Sequence, residues 1–349
     1  YPVEVNAMSF RNPRMIPYQR FMNVLEGKSV DHVPVTPILM TFAAQYSGRK
    51  YGDFCFDHRT LVECWIRCEE DFNLDFVATL SDPFREAADF GLPVRREEDD
   101  LPIREDYLIL DLDELEKIRF VDPFEGPRMA DRIRAVEEFQ KELKGKVPIL
   151  GWIEGCFAEA CDLYPMTDIM IDTIDRPEKV RDLLERILPT EIAFAEAQIR
   201  AGADVIGIGD AAASLVSAKT YEDLILPFEQ REVDAIHKAG ARVKLHICGN
   251  TNHLAHLMWK SGADIIDLDH AVDLPRARKC IPEHIAICGN MDPVADLQDG
   301  TPESIVARAK SDLEAGGSAF MLGPGCEVPR YTPTENLHAF VRAAKEALL

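Results

Sequence analysis

A chain of 349 residues is long enough for two ordinary domains or for one large α/β barrel. Hydrophobic residues make up 46% of it and supply a large core, but no run approaches the roughly 18 apolar residues of a membrane span, so membrane insertion is not expected. With 39 basic against 61 acidic residues the net charge is −22; a nucleic-acid backbone or an anionic membrane needs a basic face, so neither is expected as a partner.

Tyr1–Ala7 precede Met8 and read as foreign to the natural start, within an N-terminal extension of residues 1–13; residues 14–349 read as one domain. Eight short aliphatic or β-branched runs follow: Val33–Met40, Phe76–Asp82, Val147–Glu154, Val205–Asp210, Val243–Cys248, Ile265–His270, Ala286–Asn290 and Ala319–Gly323. Amphipathic stretches separate them. Arg176–Ala201 carries Val180, Leu183, Leu184, Ile187 and Leu188 at helical spacing, and Thr220–Ala239 is a second helix. Thr301–Ala315 opens on Thr-Pro-Glu-Ser, a capped start with proline in the first turn. Three helices run into Ala-Gly-Ala, Ser-Gly-Ala or Gly-Gly-Ser-Ala before the next strand, where glycine ends a helix.

Eight strand–helix pairs predict an α/β fold, a closed (β/α)₈ TIM barrel rather than an open doubly wound sheet. The interval from Asp82 to Val147 exceeds a normal crossover. Its acidic part, Arg95 to Phe124, is expected to form an excursion over the barrel mouth after strand two, with a short hairpin.

Active sites of such barrels lie at the C-terminal ends of the strands, and those ends are rich in polar residues here. They bring Asp82, Glu154, Asp210, His246-Ile-Cys248-Gly-Asn250, Asp267-Leu-Asp269-His270, Cys288-Gly-Asn290 and Gly323-Pro-Gly-Cys326 to one rim. Residues i and i+2 of a strand share a face, so His246 and Cys248 are aimed together. One imidazole and two thiols suit Zn²⁺, and three protein ligands leave a position open for chemistry. That position falls to water, to substrate, or to a carboxylate such as Glu154 or Asp267. Cys288 is a competing ligand, although a role beside Gly289-Asn290 in close backbone packing fits it better. His270 reads either as an acid/base group or as a hydrogen-bonded boundary histidine. His253 and His256 are expected to cover the barrel surface. Cys55, Cys64, Cys68, Cys156, Cys161 and Cys280 read as buried small hydrophobes. Nine cysteines in a long chain without a secretory signal indicate reduced thiols and a cytoplasmic protein. No Walker or dinucleotide loop and no Gly-x-Ser-x-Gly elbow is present.

Gly289-Asn-Met-Asp-Pro293, Gly300-Thr-Pro-Glu303, and Gly323-Pro-Gly-Cys326 with Thr332-Pro-Thr-Glu-Asn336 resemble the uroporphyrinogen decarboxylase superfamily, from about Arg14 to Leu349. Leu245-His-Ile-Cys-Gly249 with Cys326 resembles the His-x-Cys…Cys zinc motif of its methylcobamide:coenzyme M methyltransferases. Those are (β/α)₈ barrels that move a methyl group from a methylated corrinoid to a thiolate held by zinc. The resemblance implies zinc ligation by His246, Cys248 and Cys326, and a corrinoid such as methylcobalamin as co-substrate. The chain carries no Asp-x-His-x-x-Gly corrinoid motif, so the corrinoid would arrive on a partner protein.

The other substrate is expected to be a small thiol or methylated compound, and a homodimer is one assembly the reading allows. Asp82, Glu154 and Asp210 are the expected catalytic carboxylates; Asn250, Asp267, His270 and Asn290 are the expected substrate contacts. Asp82 also matches the decarboxylases' catalytic aspartate, which keeps a metal-free decarboxylase as the alternative. Against it, the decarboxylases' Arg-Gln-Ala-Gly-Arg segment is here Met40-Thr-Phe-Ala-Ala-Gln-Tyr-Ser-Gly-Arg49, without the first arginine. A third possibility is a zinc that only staples the barrel, which would demand a fourth protein ligand.

Overall fold

A computed structural model describes residues 15–346; the expected N-terminal extension and the last three residues lie outside them. In chain order the strands are β1 (Val77–Ala78), β2 (Val94–Arg95), β3 (Ile103–Arg104), β4 (Ile149–Glu154), β5 (Val205–Gly209), β6 (Arg242–Ile247), β7 (Ile265–Leu268), β8 (Ala286–Met291) and β9 (Phe320–Pro324). Seven of them form one curled parallel sheet in the order β1-β4-β5-β6-β7-β8-β9, with helices between successive strands. Parallel neighbours need such crossovers, and strands covered on both sides are buried on both faces, as the uninterrupted burial of β4, β5 and β9 shows. One hydrophobic core runs from Phe21 to Ala344.

The remaining pair, β2 and β3, is antiparallel, with Val94 opposite Arg104 and Arg95 opposite Ile103. This is the hairpin expected in the excursion after Asp82. The excursion is tied to the C-terminal side of the sheet, where the Leu108 N–H donates to the Leu163 carbonyl (3.0 Å) at the end of the helix that follows β4.

The first expected strand, Val33–Met40, is not a regular strand. It makes two isolated parallel bridges, Val35 with Leu322 and Ile38 with Glu327. Pro34 and Pro37 have no N–H to give, so a continuous ladder cannot form. The segment still reaches both edges of the sheet. Thr36 N donates to Leu322 O (2.9 Å) on β9, and Val35 O accepts from Asp75 N (3.1 Å), two residues before β1.

Helix boundaries follow the local chemistry. Pro177–Ala201 ends on Gly202 at φ 117°, and Leu226–Ala239 ends on Gly240 at φ 101°, where a side chain would be strained. Pro302–Gly316 begins with the Thr301/Ser304 capping box. Among the described residues, no helix is long and apolar enough to cross a membrane.

Arg20, on the helix Pro17–Leu25, fastens the proline-interrupted segment. Its guanidinium pairs with Asp31 (Nε–Oδ1 2.7 Å) and with buried Asp75, whose other oxygen accepts the Val35 N–H at 2.8 Å. Removing one partner of a buried pair strands the other charge. Arg20→Ala is therefore expected to lose about 3–5 kcal/mol of stability in chemical denaturation, and a loss below about 1 kcal/mol would show that the segment is held by other contacts.

Candidate active site

The register of the sheet builds the site. Glu154, Gly209, His246, Asp267 and Cys288 are successive partners across β4, β5, β6, β7 and β8, one residue per strand. Paired residues of a parallel sheet face the same side, and Lys244, two residues before His246, shares that face. Gly207 and Gly209 leave room for the Trp152 indole; a Cβ at Gly207 would come within 2.3 Å of the ring and one at Gly209 within 2.9 Å.

Cys248 follows β6 and Cys326 follows β9. The ligand-type atoms of His246, Cys248 and Cys326 all lie within 4.8 Å of one another. His246 Nε2 is 2.9 Å from Cys248 Sγ, and the two sulfurs are 3.8 Å apart. On the opposite ring edge, His246 Nδ1 is 3.2 Å from Asp267 Oδ2, which lies 3.0 Å from Lys244 Nζ. Burial alone would raise the Asp267 carboxyl, but Lys244 and His246 hold it well below the ordinary carboxylate range. The Cys248 thiol donating to Cys326, helped by His246, brings the Cys326 thiol down to about 4 against its burial, and Cys248 is raised in turn.

All three residues open onto a cavity of about 160 Å³. Its walls are apolar at Ile38, Met40, Leu80 and Trp152, and acidic at Asp82, Glu154 and Glu327. Asp82 is buried, and its Oδ2 accepts from Ser81 Oγ (2.7 Å) and from the Arg128 guanidinium (2.6 Å). Burial opposes ionisation there, yet Arg128 and Arg85 outweigh it and keep Asp82 below the usual range. Glu154 Oε1 accepts from Arg85 (2.8 Å) and from the Trp152 indole (3.2 Å), while burial pushes its carboxyl up to about 7. Glu327 accepts from the Thr41 N–H (2.7 Å) and Thr41 Oγ1 (2.6 Å), and burial raises it too.

The other expected site residues do not line this cavity. Asp210 is buried against the helix Cys156–Leu163, its side chain abutting Gly155, and burial raises its carboxyl well above the usual range. Asp267 stands behind His246. Asn290 donates to the Asp269 and Val272 carbonyls (3.0 and 2.8 Å), and exposed Asn250 accepts from Asn252. His270 is exposed, with Nδ1 3.1 Å from Asp269 Oδ1. Cys288 is buried with Sγ 3.2 Å from Thr36 Oγ1, apart from the thiol–imidazole cluster. His253 and His256 are exposed as expected, and so is Cys280, which closes the helix Leu274–Cys280 instead of filling core.

Sequence reasoning missed Arg85, Arg128, Glu327, Trp152 and Lys244. Lys244 carried a signal, a charge set between the aliphatic Val243 and Leu245 two residues before His246. The arginines carried none, because they reach the site from helices outside the strand pattern. A second grouping, Asp57, His58 and Asp131, is already engaged. Asp57 accepts from Arg59 N and Thr60 Oγ1, and Asp131 pairs with Arg132 and His58.

The chain belongs to the uroporphyrinogen decarboxylase (URO-D) family, whose model matches residues 17–347. Its relatives are enzymes of two kinds. It is 28% identical to the methylcobamide:CoM methyltransferase MtbA of Methanosarcina acetivorans over 336 residues, covering 94% of this chain and 97% of that one. It is 26% identical to a uroporphyrinogen decarboxylase of Carboxydothermus hydrogenoformans over 336 residues, covering 90% and 93%. The fold matches the solved structure of a methyltransferase from Methanosarcina mazei with a TM-score of 0.87 at 23% identity, over 95% of this chain and 99% of that one.

A thiol held near 4 is a thiolate at pH 6, where ordinary thiols are protonated. In metal-free protein at pH 6, iodoacetamide is expected to alkylate Cys326 first, as read by peptide mass mapping. Faster labelling of exposed Cys280 would contradict the ordering.

Proposed function

We propose that the chain is a zinc-dependent methyltransferase, built on a closed (β/α)₈ barrel, that moves a methyl group between a corrinoid and a small thiol or other small methyl donor or acceptor. One observation carries the reading: an imidazole nitrogen and two thiols converge within 4.8 Å on the wall of a small cavity. The donor set fits zinc, since soft sulfur with imidazole favours it over magnesium or calcium. The chain's relatives among the methylcobamide:CoM methyltransferases support the same kind of reaction. Zinc held by His246, Cys248 and Cys326 would supply a Lewis-acid position, open toward the cavity, that keeps a thiol deprotonated at neutral pH.

The chain's own groups do the rest. Asp267, kept ionised by Lys244, faces the Nδ1 edge of His246 at 3.2 Å and favours a proton there, so that Nε2 is the nitrogen turned toward the thiols. Glu154, poised near 7, holds or releases a proton at the cavity wall, while Arg128 keeps Asp82 ionised and fixed. Leu80, Ile38 and Trp152 exclude water from the reacting sulfur. The substrate sulfur attacks the methyl carbon in line. A sulfur–carbon bond forms, the cobalt–carbon bond breaks, and its electron pair stays on cobalt; the reverse step demethylates a donor. The corrinoid approaches the strand ends on a partner protein. All nine cysteines are free, which suits the reducing cytoplasm.

The decarboxylase alternative draws on the relatives of that name. It is less well supported, because the cavity of about 160 Å³ is smaller than ordinary ligand sites and, among the described residues, no lysine or arginine lines it to receive a polycarboxylate.

Metal analysis of wild type is expected to find one zinc per chain, with release of methyl from methylcobalamin to 2-mercaptoethanol. Cys326→Ser is expected to lose both. Asp267→Asn should weaken zinc binding by about 10- to 100-fold in a chelator competition. Metal-free wild type, or turnover untouched in Cys326→Ser, would remove the reading.

A further inference from the structure

We infer, resting on the methyl-transfer reading, that the small thiol or methylated compound taken by this cavity carries no negative charge: it is neutral or cationic beyond its sulfur or methyl group. The coenzyme M named for the Methanosarcina relatives bears a sulfonate, so the inference separates this chain from them in substrate class.

The charged groups that line the cavity set this preference. Asp82, Glu154 and Glu327 face it, and among the described residues no lysine or arginine does. Three arginines stand beside those carboxylates: Arg85 pairs with Glu154 (2.8 Å), Arg128 pairs with Asp82 (2.6 Å), and Arg330 acts on Glu327 from a position 3.7 Å from Asp99. Arg85 and Arg128 are buried. Arg128 is held further by the Cys55 carbonyl (3.2 Å) and lies 4.0 Å over the Phe56 ring. Turning either toward a ligand would leave a buried carboxylate unpaired, which is strongly unfavourable. Lys244 is likewise committed, 3.0 Å from Asp267 and 3% exposed.

An anionic tail therefore leaves water for a wall that presents carboxylates, with the neighbouring arginines already paired behind them. A hydroxyl or an ammonium instead meets acceptors already in place at Glu154 and Glu327. The rest of the wall, Ile38, Met40 and Leu80, is indifferent to charge but intolerant of a strongly hydrated group. Like-charge juxtaposition is how binding sites reject a close analogue.

The test uses three thiols of similar size, 2-mercaptoethanol (neutral), cysteamine (cationic) and 2-mercaptoethanesulfonate (anionic). Each is titrated calorimetrically into the zinc-loaded protein and assayed for methyl release from methylcobalamin. The neutral and cationic thiols are expected to bind at least about tenfold more tightly than the sulfonate, with kcat/KM in the same order. Met40→Arg, which places a guanidinium in the wall, is expected to shift the ratio toward the sulfonate. Equal or tighter binding of the sulfonate to wild type, or no binding of any of the three, overturns the inference. Binding in the expected order without any methyl transfer upholds the charge preference and overturns the functional reading instead.

Discussion

A lysine, an aspartate and a histidine in line inside the sheet set the chemistry of everything around them. Lys244, Asp267 and His246 are all buried, and burying an ion pair costs several kcal/mol per ion before any attraction is gained. Packed hydrophobic residues would stabilise the same space as well or better. The pair makes physical sense as a device that fixes one imidazole edge, so that the other edge is turned to the two thiols. Register makes the alignment possible: His246 and Asp267 are direct partners on β6 and β7, and Lys244 stands two residues back on the same face. A shift of one residue in either strand would move these side chains to the outer face.

The opposite wall solves a different electrostatic problem. Asp82 and Glu154 sit at the ends of their chain segments beside buried arginines, and the outcome differs because their partners differ. Three guanidiniums, those of Arg128, Arg85 and Arg132, act on Asp82 and keep it charged. Glu154 shares Arg85 with Glu86, so burial prevails and its carboxyl rises to about 7. One cavity thus holds a fixed anion and a carboxyl able to exchange a proton near neutral pH, a division of roles that environment alone creates.

Much of this was legible in the sequence because strands impose a period of two and helices end on glycine. The pattern located seven of the eight expected runs as strands of one parallel sheet, and it anticipated the hairpin after Asp82. Val33–Met40 departs from regular strand geometry through Pro34 and Pro37, whose missing N–H groups interrupt a ladder that the aliphatic pattern alone does not exclude. His246, Cys248 and Cys326 could be grouped because thiol and imidazole at strand ends are chemically conspicuous. Asn250, Asn290 and His270 were less tractable. A polar side chain at a strand end serves a loop as readily as a ligand, and these three hydrogen-bond or face their own loops. Asp210 failed to reach the cavity because it lies one residue past Gly209 and so points to the other face. Arg85 and Arg128 were invisible to strand-end reasoning, since long side chains from helices cross distances that no local spacing encodes.

Zinc held as proposed by His246, Cys248 and Cys326 would keep one coordination position open, and X-ray absorption at the zinc edge reads that position directly. For the protein as isolated, the expected shell is two sulfurs, one imidazole nitrogen and one light atom that is not supplied by the chain. On addition of 2-mercaptoethanol, that light atom should be replaced by a third sulfur. A shell of four protein ligands that does not change with thiol would contradict the claim and leave the metal a structural staple.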